Sequence, residues 1–139
     1  MLFNIPADLI RARIEAQTSI DKQIGDARSL FITLVPGQEA VYALKLTEAQ
    51  LIAADRDRGD KVPNGETPHI TAEAAEHGVS RFEKAVEILT RDQRWKVGSQ
   101  MIEAIRRSAT TTLKTAQTAP EIRAAYDIDW REVCQFART

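Results

Sequence analysis

Few side chains in this sequence stand at spacings that could do chemistry. Asp55 and Asp57, with Val62 and Glu66 at the eighth and twelfth positions of the same stretch, loosely follow a calcium-binding loop. Such a loop needs oxygen ligands at alternate positions and a glycine at the sixth. Here the sixth position is Asp60, Gly59 takes the fifth, and Arg56 and Arg58 would repel the ion. A solvated polar loop is expected instead. His69, Glu73 and His77 recur every fourth residue, so on one helix they would share a face and could ligate a metal. Pro68 and Thr71 set His69 outside the expected helix, and no fourth ligand lies near, so these read as surface histidines. No metal and no cofactor is expected.

Cys134 would need a neighbouring base or a helix N-terminus to act as a nucleophile. It sits beside Val133 and near Phe136, which suggests a buried, inert thiol. As the sole cysteine it forms no intrachain disulfide, and a reducing compartment is the simplest setting. Arg58-Gly59-Asp60 spells a tripeptide known from cell adhesion, a match short enough to arise by chance. No glycine-rich phosphate loop and no serine elbow occurs. No enzyme is expected.

Arg91, Arg94, Lys96, Arg106, Arg107 and Lys114 could contact phosphates. They spread around a helix rather than along one face, and Glu121, Asp127, Asp129 and Glu132 follow. Intramolecular ion pairing accounts for them better than nucleic acid does. The net charge of −1 steers the chain toward neither nucleic acid nor anionic lipid. The apolar runs are too short to span a bilayer, and Met1–Asp8 shows no signal-peptide pattern. A content of 43% hydrophobic and 28% charged residues fits a soluble globular protein, and 139 residues suit one domain.

The elements that would position these groups follow from spacing. Residues 5 to about 27 favour a helix, with Asn4 as cap and Pro6 in the first turn. Its apolar stripe reads Ile10, Ile14, Gln17, Ile20 or Asp21, and Ile24, with Leu9 beside it. That narrow stripe needs a partner, in its own domain or in another subunit. Leu30–Val35 and Ala40–Leu46 flank Pro36-Gly37 and predict a β-hairpin. Thr47 and Gln50 form a capping box for a short helix through Leu51, Ile52 and Ala54. A loop spans 55–70. Residues 71–77 form a turn or two of helix stopped by Gly78. Ser80 with Glu83 caps a long helical stretch whose stripe runs Phe82, Val86, Leu89, Val97, Met101, Ile105, Ala109, Leu113 and Ala116, with a kink or break near Asp92–Gly98. Thr118 with Glu121 caps another helix, and Trp130, Val133 and Phe136 close the chain with an apolar patch.

The expected fold is therefore α+β and mostly α: a single domain over 1–139, with an N-terminal helix at 1–28, a hairpin at 29–46, and a helical hairpin or bundle at 47–139. The hairpin could add strands to a partner sheet. Phe31, Val41, Tyr42, Trp95, Met101 and Trp130 are the expected burial anchors, in core or interface.

Tyr42-Ala43-Leu44-Lys45-Leu46-Thr47-Glu48-Ala49 resembles an extended segment running into a helix that recurs in small tail-associated proteins of tailed bacteriophages. Trp95, Ile102-Glu103-Ala104-Ile105-Arg106-Arg107 and Ala116-x-Thr118-x-x-Glu121-Ile122 are similar to the helical domain of those tail-fibre or tail-tip proteins. The resemblance covers roughly residues 40 to 126. It implies a non-catalytic virion part of the tail that links or anchors fibre or baseplate components. It further implies a homo-oligomer with other phage structural proteins as partners, found in the virion and, during assembly, in the host cytoplasm. A tail-assembly chaperone absent from the mature particle, or a small nucleic-acid-binding regulator, are the alternatives.

Overall fold

The computed structural model describes residues 6–32 and 37–139. Its α-helices are α1 (Ala7–Arg28), α2 (Gln38–Ala54), α3 (Pro68–His77), α4 (Arg81–Thr115), α5 (Ala119–Tyr126) and α6 (Arg131–Arg138), with a 3-10 turn at Asn64–Glu66. Among the described residues there is no strand, so the expected α+β class and its hairpin over 29–46 are overturned. Residues 29–32 form a turn that continues from α1 through Leu30 N–H to Ala27 O and Ile32 N–H to Arg28 O, each at 3.1 Å. Thr33, Leu34, Val35 and Pro36, like the expected cap Asn4, lie outside the described residues.

Ala40–Leu46 lies inside α2, and its burial explains why a period of two was the wrong reading. Val41, Tyr42, Lys45 and Leu46 are half-buried, and Glu48, Ala49 and Ile52 are buried. Ala43, Leu44, Thr47, Gln50 and Leu51 are exposed. That alternation has the helical period of three to four. Gly37, at φ 86°, turns the chain into the helix. Thr47 does not cap; its hydroxyl donates back to Ala43 O at 3.1 Å in mid-helix. The other two capping boxes form. Ser80 Oγ accepts Glu83 N–H at 3.0 Å while Glu83 Oε2 accepts Ser80 N–H. Thr118 Oγ1 accepts Glu121 N–H, and Glu121 Oε2 accepts Gln117 N–H at 2.7 Å.

Contacts divide the chain into two compact units. One comprises Met1–Ile32 and Val97–Thr139, the other Thr33–Lys96, so the end of α4 belongs to the first and its beginning to the second. α4 is a single continuous helix, with no break at Gly98.

In the first unit α1 packs on α5, and the core joins Ala16, Ile20, Ile24 and Ala27 of α1 to Ile102, Ala109 and Leu113 of α4, Ile122 and Ala125 of α5, and Val133 of α6. The line on α1 is offset from the expected stripe: Ile10 and Ile14 are exposed, at 47% and 63%. The expected stripe of the long helix holds at Ala109, Leu113 and Ala116, which are buried, and is offset earlier in α4, where Val86 and Val97 are exposed and Ala85, Ile88, Gly98 and Ile102 are buried. Gly98 is needed because the Phe31 ring crosses α4 there; a Cβ on Gly98 would stand 2.6 Å from Phe31 Cζ. Arg13 reaches the end of α4 and donates to Leu113 O at 2.8 Å and to Ala116 O. It thus satisfies carbonyls that have no partner within the helix.

In the second unit α2 packs on α3, around Ala49, Ile52, Ile70, Ala85 and Ile88. Buried Glu48 of α2 caps the neighbouring helix: its Oε1 accepts Ile70 N–H, in the first turn of α3, at 3.0 Å. Arg81 ties down the preceding loop by donating to Gly59 O at 2.6 Å, Val62 O at 2.9 Å and Thr67 Oγ1 at 2.9 Å. Gly59 has φ +89°, and a Cβ there would meet Ile52 Cγ2 at 2.7 Å. Replacing Gly59 with Ala should therefore add left-handed strain and overpack Ile52, costing about 3 kcal/mol in denaturant unfolding. Gly65→Ala, where a Cβ meets nothing within 4 Å, serves as the control and should differ little from the parent.

Candidate functional site

Each cluster with chemical potential is already engaged by its own surroundings. Asp55 Oδ1 accepts Asp57 N–H at 3.2 Å and Asp55 Oδ2 accepts Lys61 N–H at 3.1 Å. Those backbone donors, Lys61 first, hold its carboxyl below the ordinary range. Its oxygens thus organise a turn. Arg58, at φ 57°, lays its guanidinium over the Phe82 ring at 5.2 Å, so the Arg58-Gly59-Asp60 tripeptide is folded onto the unit.

His69, Glu73 and His77 do share α3, which begins at Pro68 rather than at 71. The sequence expectation that His69 lies outside the helix is corrected: proline is well suited to a first turn. Two of the three nevertheless engage other partners. Glu73 is ion-paired with Lys45, and His77 Nδ1 accepts from the buried Lys84 ammonium at 2.6 Å. Lys84 also binds Glu87 at 2.9 Å, and that hydrogen bond is the main cause of a lowered Glu87 carboxyl. Among the described residues no group of three His, Cys, Asp or Glu is gathered as a metal would need.

Cys134 is half-buried, not buried, on the wall of an open groove of 690 Å³ with Trp130, Arg131 and Arg138. Arg131 is spent on Asp129, donating at 2.7–3.1 Å, which pulls the Asp129 carboxyl down to about 2. No histidine falls within this compact unit to serve as a base.

The basic residues of α4 are partly neutralised along the helix itself. Arg91 pairs with Glu87 at 2.7 Å, Lys96 with Asp92 at 2.9 Å, and Arg106 with Glu103. The acids after residue 120 are not their partners in these pairs. Among the described residues no helix is long and apolar enough to cross a membrane.

The six expected anchors are all half-buried, and the structure divides them rather than gathering them. Phe31, Met101 and Trp130 line the core of the first unit. Phe31 meets the Phe136 ring at a centroid distance of 5.8 Å, and Trp130 Nε1 donates to Gln23 Oε1 at 2.8 Å. Gln23 in turn donates to Tyr126 O at 2.9 Å. Val41, Tyr42 and Trp95 belong to the second unit. Tyr42 Oη donates to buried Asp92 Oδ1 at 2.9 Å, and Asp92 also holds Lys96.

The surface that sequence reading missed is the outward face of α2. Ala40, Ala43, Leu44, Thr47, Leu51 and Ala54 are all exposed, with Leu44 at 54% and Leu51 at 44%. Alanine and leucine thus make up most of this exposed face, with Glu39, Thr47 and Gln50 among them. The signal was present as Ala and Leu at helical spacing, but was hidden by reading the segment as a strand. Compared with known proteins, the chain matches no family model, no curated protein and no solved structure.

The Tyr42–Asp92 contact has a measurable consequence. Burial, then the hydrogen bond and charge of Asp92, push the Tyr42 phenol from 10.0 up to about 12. A raised pKa means the folded state favours the neutral phenol, so this stabilisation is complete below pH 10.0 and is lost as pH rises toward about 12. Absorbance titration of a Tyr126→Phe chain, which isolates Tyr42, should show a midpoint near 12. Asp92→Asn should move it partway down. A parent midpoint near 10.0 would contradict the contact.

Proposed function

We propose that this chain acts by binding other proteins and transforms no small molecule, as a structural or assembly component of a bacteriophage tail. The observation that carries the protein-binding reading is the outward face of α2, where Leu44 and Leu51 stand exposed between alanines. Two leucines two turns apart on one exposed helix face can be covered together by one partner. The tail assignment is supported by the resemblance of Ile102–Arg107 and Ala116–Ile122, both of which are helical or helix-capping here. Its other segment, Tyr42–Ala49, is helical throughout and so lends no support as an extended strand. The proposed mechanism is burial of the Ala40–Ala54 face against a helix or apolar groove of a neighbouring tail protein. Strand addition by a hairpin plays no part.

The test uses a phage that encodes the chain. Mass spectrometry of purified particles should find it in tails. Leu44→Lys with Leu51→Lys should deplete it from tails at least about tenfold, since two leucines at an interface centre are worth a few kcal/mol. Far-UV circular dichroism and the unfolding midpoint of the isolated variant should stay close to the parent, because both positions are exposed. Complexes in the infected cell without any chain in finished particles would replace the structural role by that of an assembly chaperone. Unchanged incorporation of the double variant would remove α2 as the contact.

A further inference from the structure

Opposite its buried line, α1 carries a second seam. Ala7, Arg11, Ile14, Thr18, Asp21 and Gly25 recur at alternating steps of four and three, the heptad spacing of helices that pair lengthwise. All are exposed except the half-buried Gly25, and the space above Gly25 is open, with nothing within 4 Å of where a Cβ would stand. Ile14 is 63% exposed, with Ile10 beside it at 47%. The order of charged and small residues along this face says what would pair with it.

The line is complementary to its own reverse. In the antiparallel register that sets Ile14 opposite Thr18, Arg11 falls opposite Asp21 and Ala7 opposite Gly25. Two-fold symmetry repeats each pair, so both Arg11–Asp21 pairs form together. The small residues at the ends let the backbones approach. Ile10 falls opposite Lys22, whose aliphatic stem can cover it. A parallel pair would instead set Arg11 against Arg11 and Asp21 against Asp21, which is repulsive. Asp21 accepts from Gln17 on Oδ1 at 2.8 Å and feels the charge of Arg106 within its own chain, so Arg11 of the second copy would join an acid that already has a cation near it.

We propose that α1 is the seam of an antiparallel homodimer, in which a second copy of this chain lays its α1 along Ala7–Gly25 and the two Arg11–Asp21 pairs set the direction. The seam is about 27 Å long at 1.5 Å per residue. A contact of that size is small, so the dimer is reversible and weakened by salt. This goes beyond the reading of α2, because it requires no other protein.

The test is sedimentation equilibrium of the purified full chain over a range of concentrations at low and high salt. The parent should pass from monomer to dimer. Arg11→Glu alone, or Asp21→Arg alone, should each raise the dissociation constant by at least about tenfold. Combining the two exchanges the charges and should restore dimerisation to within about threefold of the parent. Circular dichroism of all three variants should match the parent, since both side chains are exposed. The Leu44→Lys, Leu51→Lys chain should dimerise normally, which separates this seam from the α2 face. A parent that stays monomeric throughout, single reversals without effect, or a double variant that is not rescued would each overturn the proposal.

Discussion

Close approach of helices through small side chains is the constraint on which this structure rests. Among the described residues that are buried and hydrophobic, Ala16, Ala27, Ala49, Ala74, Ala85, Ala109, Ala116 and Ala125 are alanine, and all but two of the others are isoleucine. Alanine adds little transfer free energy; an isoleucine contributes about 1.5–3 kcal/mol on full burial. The alanines instead provide the room into which the isoleucines of the facing helix fit. Gly98 is the limiting case, where the crossing side chain is the Phe31 ring.

Helices packed this closely bury some of their own ends, and each end leaves backbone groups without partners. The chain meets this with long side chains sent from elsewhere in the same unit. Arg13 serves the carbonyls at the end of α4, Glu48 the first turn of α3, and Gln23 the carbonyl of Tyr126 just before the chain leaves α5. Arg81 does the same for the turn around Gly59. These interactions make charged and amide groups part of the interior. They also absorb side chains that, counted along the sequence, looked available for chemistry.

That economy shapes the functional reading. Lys84, His77, Glu73, Asp92 and Asp55 are each bound to a neighbour, which leaves the apolar surfaces as the features without an internal explanation. The large aliphatics Ile10, Ile14, Leu44 and Leu51 stand exposed although isoleucine is also the main large residue of the interior. The outward faces of α1 and α2 differ in kind. The α1 face mixes charge with aliphatic residues in a self-complementary order, whereas the α2 face is nearly uncharged.

The sequence by itself determined the helices whose limits are written in local hydrogen bonding. Ser80 with Glu83, Thr118 with Glu121, and Gly78 at φ 66° mark their ends by chemistry that reaches only a few residues. The sequence also placed Ile20, Ile24, Ala109 and Leu113 inward, but only the tertiary structure decided the rest of the packed line on α1 and α4. The large aliphatics suggest one line on α1 and α4, but the packed line passes through alanine and glycine, whose contribution depends on what lies across from them. The same holds for Ala40–Leu46: its β-branched and aromatic residues suit a strand locally, and contacts with α3 and α4, through Ile70, Ala85 and the Asp92 carboxylate, select the helix. Local propensity is a matter of tenths of a kcal/mol per residue, and burial of a whole face outweighs it.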